Sequence, residues 1–453
     1  MISIKREFDR LRADLAREII AQTKDVRNEI RKLQNELRDE MHGLRQTVNL
    51  VARQCSTKSK RIRCLFLVHA VESWDAQIEI WRSMKSDDRF EPLVASINRK
   101  FPGDGGFGGE SETSAALDEL GVPHLRLGAE VSAVAIDILR GLAPDIIFRQ
   151  SQWEADVPPE FSTKNLGFAR LCCIPYSTPI IAKYSNGETG ETTISPKGFD
   201  QYFHRMAWRV FCETELTRNY FLQFQHSDPS KFIVSGYPKL DVLLGSKKEY
   251  VGDRSSTGRF KVIWAPHWSI RGDWLGFGTF DKICADFLEF AKINPGIDFA
   301  MKPHPALFKT VVSVGAMSSD ELGQFICKWE ELANCSIESG PYSALFAQSD
   351  MMVTDGISFL TEYPVLEKPL VFIDSGRHVP MNSLGDLALS ASHTVFDFDS
   401  IAKAIEYYRC GGDWKWKEER TALLEALMPN RNRSVAAIVE NIVESLRSEG
   451  WAC

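Results

Sequence analysis

The chain has 453 residues, 44% hydrophobic and 25% charged. That is an ordinary globular composition at a length beyond what one hydrophobic core serves, so two domains with accessory pieces are expected. The net charge of -7 is uneven: residues 1–63 carry more Lys and Arg than Asp and Glu, leaving an acidic main body that argues against a nucleic-acid groove. No apolar run approaches the roughly 20 residues that span a bilayer, and "MISIKREFDRLRADL" has charges where a signal peptide needs its apolar core. The expectation is a cytoplasmic protein whose basic arm leaves peripheral contact with the inner face of an anionic membrane open.

From Phe8 to Val51 the apolar positions are Phe8, Leu11, Leu15, Ile19, Val26, Ile30, Leu33, Leu37, Met41, Leu44, Val48 and Val51, mostly in steps of three and four. With no Pro and no Gly before position 43, the spacing predicts a long helix over 1–55 with a coiled-coil seam. Self-association into a homo-oligomer through residues 8–51, packing on the chain's own body and apposition to a membrane are the readings it leaves open. "RCLFLVHA" then reads as a buried strand entering a loop with Glu72, Trp74 and Asp75. After it, "FEPLVASI", "ETSAALDELG", "PHLRLG", "VSAVAIDILRGL" and "PDIIFRQ" alternate strand and helix, which means βαβ units and a parallel sheet over 61–235. The glycine-rich "FPGDGGFGGE" fits neither GxGxxG nor GxxxxGK[ST] and reads as a surface loop.

The alternation restarts at "RFKVIWAPHWS" and continues through the helix "FDKICADFLEFAKIN", the strand "DFAMKPHP", a helix around 320–333 and the strand "CSIES". The helix "PYSALFAQ", the strand "DMMVTDG", a helix over 358–367 and the strand "KPLVFID" complete a second α/β domain over 236–430. "RSVAAIVENIVESLRSEG", within 431–453, is a last amphipathic helix able to pack back across either domain. Ten cysteines without a CxxC pair read as reduced thiols, and no His, Cys or Asp cluster has metal-ligand spacing, so neither disulfide nor metal is expected.

In open parallel sheets the ligand crevice lies at the carboxyl ends of the strands, where helix N-termini present unpaired N–H groups. Four such ends in the second domain carry polar side chains. "WAPHWSIRGDW" has His267 and Arg271, "MKPHPALF" has Lys302 and His304, "SIESGPYS" has Ser339 and Gly340, and "VTDGISFLTEY" has Asp355, Ser358 and Glu362. Together they describe an anion pocket. His267 reads equally as a core histidine, Arg271 as a solvated charge, Asp355 as a helix cap and Glu362 as a surface charge. Pro341 is a favoured first residue for the helix that follows Gly340.

"SGYPKLD" at 235–241, "WAPHWS" at 264–269, "KPHP" at 302–305 and "SDMMVTDGISFLTEYPVLEKPLVFID" at 349–374 resemble, in order, the nucleotide-binding half of GT-B transferases. The similarity is to the CDP-glycerol glycerophosphotransferase family, which polymerises teichoic-acid-like chains. The resemblance implies two doubly wound Rossmann-like domains facing a crevice, an acceptor domain over 61–235 and a nucleotide-donor domain over 236–430, with no cofactor. It implies that His304 contacts the donor's phosphates, that Thr354, Asp355, Gly356 and Ser358 form the turn donating to the diphosphate, and that Glu362 accepts from the ribose hydroxyls. Lys302, Arg271 and the helix N-termini then neutralise the leaving phosphate without a metal.

The family also has a His-Gly motif in its first domain, whose histidine acts as base. Here "CCIPYSTPIIAKYSNGE" stands in its place with no His, and His69, at the end of the first strand, is the substitute. The implied activity is transfer of glycerol phosphate, or a related polyol phosphate or sugar, from a CDP- or other nucleotide-activated donor to a glycan or lipid-linked acceptor in envelope biogenesis. A UDP-sugar 2-epimerase-like enzyme is one alternative, although its paired glutamates and SGG turn are not reproduced by Glu362-Tyr363 and Gly356-Ile357-Ser358. A catalytically silent scaffold in a glycan-assembly complex is the other.

Overall fold

The computed structural model describes residues 15, 18, 22–38, 40, 41, 44 and 48 of the amino-terminal arm, and then 61–101, 104–128, 132–174, 180–185, 192–194, 196–224, 228–249 and 258–451. The chain divides into two compact units, Met1–Lys58 and Ser59–Cys453. The described residues of the first unit are helical. Its seam residues Leu15, Val26, Ile30, Leu33, Leu37, Met41, Leu44 and Val48 are each 50–68% exposed. Phe8, Leu11, Ile19 and Val51 lie outside the described residues.

The second unit holds two parallel sheets. The strands of the first are β1 (Ile62–Val68), β2 (Phe90–Ile97), β3 (Leu125–Leu127), β4 (Ile146–Arg149), β5 (Arg170–Cys173), β8 (Arg209–Cys212) and β9 (Phe232–Val234), with β6 (Tyr184–Ser185) and β7 (Thr192–Thr193) forming a separate ribbon. The spatial order is β3-β2-β1-β4-β5-β8-β9, every pairing parallel. The strands of the second sheet are β10 (Phe260–Ala265), β11 (Ile297–Met301), β12 (Cys335–Ile337), β13 (Met351–Thr354), β14 (Leu370–Ile373) and β15 (His393–Val395), in the order β12-β11-β10-β13-β14-β15. Strands such as "LFLV" and "LVFI" are apolar throughout, and "IIFR" and "MMVT" are buried along their whole length, because helices cover both faces and alternation has no solvent side to serve.

Both sheets reverse direction of growth beside their first strand, between β1 and β4 and between β10 and β13. A crevice therefore opens at the carboxyl ends of those four strands. His69 follows β1, Gln150 follows β4, His267 follows β10 and Asp355 follows β13.

Several elements differ from the sequence expectation. The stretch 358–367 is one α-turn, Phe359–Glu362, continued by a 3-10 turn, Tyr363–Leu366, because Pro364 has no N–H to extend the α ladder. Glu362 is consequently at the end of the turn and 1% exposed rather than on a solvated helix face. The helix after Gly340 starts at Ser343 with Tyr342 at its cap, so Pro341 stands outside it.

The carboxyl-terminal helix Ser434–Ser448 packs on the first sheet. Ile438, Ile442 and Leu446 are fully buried in a cluster with Phe66, Trp74 and Phe148. Trp208 Nε1 donates to Glu449 Oε1 at 2.6 Å, and Arg170 pairs with Glu449 at 2.5 Å. A second strap comes from residues 180–183, which bridge to 380–382: Lys183 N–H donates to Pro380 O, and Asn382 N–H to Ile181 O, each at 2.8 Å. Gly385 sits against this strap, where an added Cβ would lie 2.4 Å from Ile181 O. The two sheets are thus held together by chain that crosses between them.

Ile442→Ala removes buried methyls at the crossing helix and is expected to destabilise by about 2–5 kcal/mol. The check is a lowered thermal midpoint with the far-UV circular dichroism unchanged.

Candidate functional site

A cavity of about 840 Å³ lies between the two sheets at their carboxyl edges. From the second domain it is lined by His267, Lys302, His304, Tyr342, Gly356, Ser358 and Glu362, with Lys239 from the helix that begins at Pro238. The first domain contributes Ala70, Glu72, Ser73, Phe101, Trp153 and Asp156.

The electropositive floor is built from two lysines. Lys239 is 1% exposed; its Nζ donates to Glu72 O at 3.1 Å, lies 3.9 Å from Glu362 Oε2 and stands 3.9 Å above the Tyr342 ring. Lys302 is 6% exposed and donates to Gly340 O at 2.9 Å. Burial lowers its pKa to about 8, the Glu72 carboxylate resisting and Lys239 adding to the fall. Tyr342 lies between them, its hydroxyl donating to Glu362 Oε2 at 2.5 Å. Burial first, then Glu362, keeps that phenol protonated well above its usual range. With the Glu72 carboxylate paired to Arg99 at 3.3 Å, two ammonium groups against the one fully buried carboxylate, Glu362, leave the floor short of negative charge, which is what an anion site requires.

The two histidines above the floor are neutral donors. His304 Nδ1 accepts from Ala306 N–H at 3.1 Å, and His267 Nδ1 accepts from Ser269 N–H at 3.2 Å and meets the Ser269 hydroxyl at 2.7 Å. Ser269 Oγ itself accepts from Phe277 N–H, so its proton goes to the imidazole. In both rings the proton therefore belongs on Nε2. Burial, then the Lys302 ammonium, pushes His304 down to about 3, and burial, then His304, holds His267 well below its ordinary value.

The turn after β13 divides its labour differently from the sequence expectation. Asp355 is 0% exposed and does not face the cavity: Oδ1 accepts from His267 N–H at 2.6 Å, and Oδ2 from Thr279 N–H at 2.6 Å and the Thr279 hydroxyl at 2.7 Å. Burial raises its pKa to about 6 against those bonds. Thr354 is likewise turned inward, donating to Ala265 O at 2.7 Å and accepting from Gly356 N–H at 2.9 Å. Gly356 and Ser358 do line the cavity. Arg271 pairs with Asp281 at 2.9 Å on a largely exposed side chain and is not among the lining residues, and neither are Ser339 and Gly340.

His69 is 1% exposed behind the lining, its Nδ1 meeting Gln150 Oε1 at 2.8 Å, with burial lowering its pKa to about 4. The adjoining Ala70 lines the cavity instead. Sequence reasoning missed Lys239, Tyr342 and Asp156. Lys239 lies within "SGYPKLD", yet nothing in that stretch marks the lysine as buried. Asp156 reaches the cavity from the loop after β4, its Oδ2 accepting from the Ser151 hydroxyl at 2.6 Å, and burial raises its pKa.

Structural comparison returns proteins of this architecture. The wall teichoic acid polymerase TagF superposes with a TM-score of 0.55 at 15% identity, covering 91% of this chain and 98% of that one. A UDP-GlcNAc 2-epimerase from Neisseria meningitidis, bound to UDP-GlcNAc, gives 0.55 at 14% identity over 84% and 100%. The chain has the GT-B fold. A UDP-bound MnaA of S. aureus gives 0.52 at 12% identity over 85% and 97%. No family model and no curated protein matches the sequence. Two of these neighbours hold nucleotide ligands, UDP-GlcNAc in the Neisseria meningitidis protein and UDP in MnaA, and at 12–15% identity the likeness to this chain is one of fold.

Asp355→Ala leaves the His267 N–H, the Thr279 N–H and the Thr279 hydroxyl without their acceptor. At about 1–3 kcal/mol per stranded buried donor, a loss of at least about 3 kcal/mol is expected, seen as a lower thermal midpoint.

Proposed function

We propose that the chain transfers glycerol phosphate, or a related polyol phosphate or sugar, from a CDP- or other nucleotide-activated donor to a hydroxyl of a surface-glycan acceptor. The observation that carries this reading is the pair of buried ammonium groups, Lys239 and Lys302, beneath two neutral histidines at the edge where both sheets open. A donor diphosphate supplies the missing negative charge. The Nε2–H groups of His267 and His304 donate to its oxygens, and Glu362 accepts from the ribose.

When a polyol phosphate is transferred, the acceptor oxygen forms a bond to the distal phosphorus while the bond from that phosphorus to the bridging oxygen breaks. The nucleoside monophosphate leaves with the bonding pair, and the lysines stabilise its growing charge. The acceptor proton goes to a carboxylate of the first domain. Asp156 suits that role better than His69, because it lines the cavity and burial has already raised its proton affinity. The aromatic side, with Trp153, Tyr184 and Trp274, offers flat faces to an acceptor sugar ring; Tyr184 and Trp274 stack at 4.8 Å between their centroids.

A thermal-shift panel of CDP-glycerol, CDP-ribitol, and UDP- and CMP-sugars tests the donor. A true donor at 100 times its dissociation constant should add roughly 2.7 kcal/mol of stability, and His304→Ala should reduce the shift. No shift with any nucleotide sinks the reading. Asp156→Asn should lower kcat while leaving the donor-induced shift intact.

The 2-epimerase alternative draws on a neighbour of equal TM-score and would be revived by epimerised product formed from a UDP-sugar without acceptor. Donor binding without turnover, together with full complementation in cells by His304→Ala, would favour the silent scaffold.

Lys302 gives this site a pH signature. Its pKa in the empty cavity is about 8, and a bound diphosphate raises it, so above that pH binding takes up a proton. Affinity for a diphosphate diester, whose own groups do not titrate in this range, should fall as pH rises through 8 and stay level from there down to about 7, above the range in which Asp355 titrates. The histidines, neutral at pH 7, contribute nothing to the slope. Lys302→Met should remove both affinity and slope, measured by calorimetry.

A further inference from the structure

We propose that the amino-terminal helix is one strand of a parallel homo-oligomeric coiled coil built on an eleven-residue repeat, with a second copy of this chain covering its apolar stripe. The period is in the sequence. Phe8, Ile19, Ile30 and Met41 are spaced by eleven, as are Leu11, Gln22, Leu33 and Leu44, and Leu15, Val26, Leu37 and Val48. Eleven residues in three turns is 3.67 per turn, longer than the 3.5 of a heptad and close to the 3.6 of a straight helix, so the stripe winds slightly to the right and the strands supercoil right-handed. The seam residues described from Leu15 to Val48 are helical, and their apolar side chains are each at least half exposed in the single chain. An apolar stripe of that length needs cover.

Charge identifies the cover. In each repeat the residue before the first seam position is acidic: Glu18, Glu29 and Glu40. The residue after the third seam position is basic in two successive repeats, at Arg27 and Arg38. These columns lie on opposite sides of the stripe. When two copies run in the same direction, the acidic flank of one meets the basic flank of the next. When they run in opposite directions, acid faces acid and base faces base. Gln22, the one polar residue in the seam, then favours a single register, because only aligned copies pair it with itself.

Sedimentation of the full chain, and energy transfer between copies labelled at the amino terminus with donor or acceptor dye, test the proposal. Wild type should sediment as an oligomer, and a mixture of the two labelled preparations should transfer efficiently. The double substitution Leu33→Asp, Leu37→Asp should yield monomer with an unchanged thermal midpoint for the rest of the chain. A monomeric wild type, or an oligomer that survives the double substitution, overturns the seam. An oligomer without transfer between amino termini overturns the parallel orientation. These readouts are independent of nucleotide binding.

Discussion

Every strand pairing in both sheets is parallel, and this constraint places the chemistry. Parallel strands all end on the same edge, so the loops that follow β1, β4, β10 and β13 gather there without any long-range instruction beyond the pairing itself. Because helices cover both faces, the loops are the only place where polar side chains can concentrate. The cavity is what remains where the two carboxyl edges meet, and the straps at 180–183 and Ser434–Ser448 keep them facing.

Within the cavity, burial decides which groups carry charge. His304 and His267 lose their protons to desolvation and become directed N–H donors. Lys302, though lowered, keeps a charge near neutral pH. Glu362 is tied to Tyr342 and lies near Lys239, so one carboxylate balances part of a doubly basic floor. Such a floor is better matched to a doubly charged ligand than to a neutral sugar.

Asp355 shows how a residue can stand at the strand end that opens the cavity while its carboxylate turns away from it. The motif "VTDGIS" marks a strand end, and the strand end is where the cavity opens. Its carboxylate nevertheless faces the protein, joining the ends of β10 and β13 to the helix at Phe280. That choice depends on the positions of His267 and Thr279, 88 and 76 residues away, and no local pattern carries it. Arg271 fails for a related reason: sequence proximity to His267 does not bring its side chain to the cavity, since Asp281 engages it outside. Lys239 is the converse case, a buried cation in an unremarkable helical start.

The sequence by itself determined the alternation of strands and helices, the four polar strand ends, and the period of the amino-terminal stripe. These are local properties, set by apolar spacing, backbone rigidity at Pro, and the charge of neighbours on one helix. Only the tertiary structure decided which of the polar residues face the cavity. Facing depends on contacts between segments far apart in the chain, such as Glu362 with Tyr342 and Lys239, or His69 with Gln150. The competition between internal hydrogen bonds and an open crevice is resolved where those segments meet.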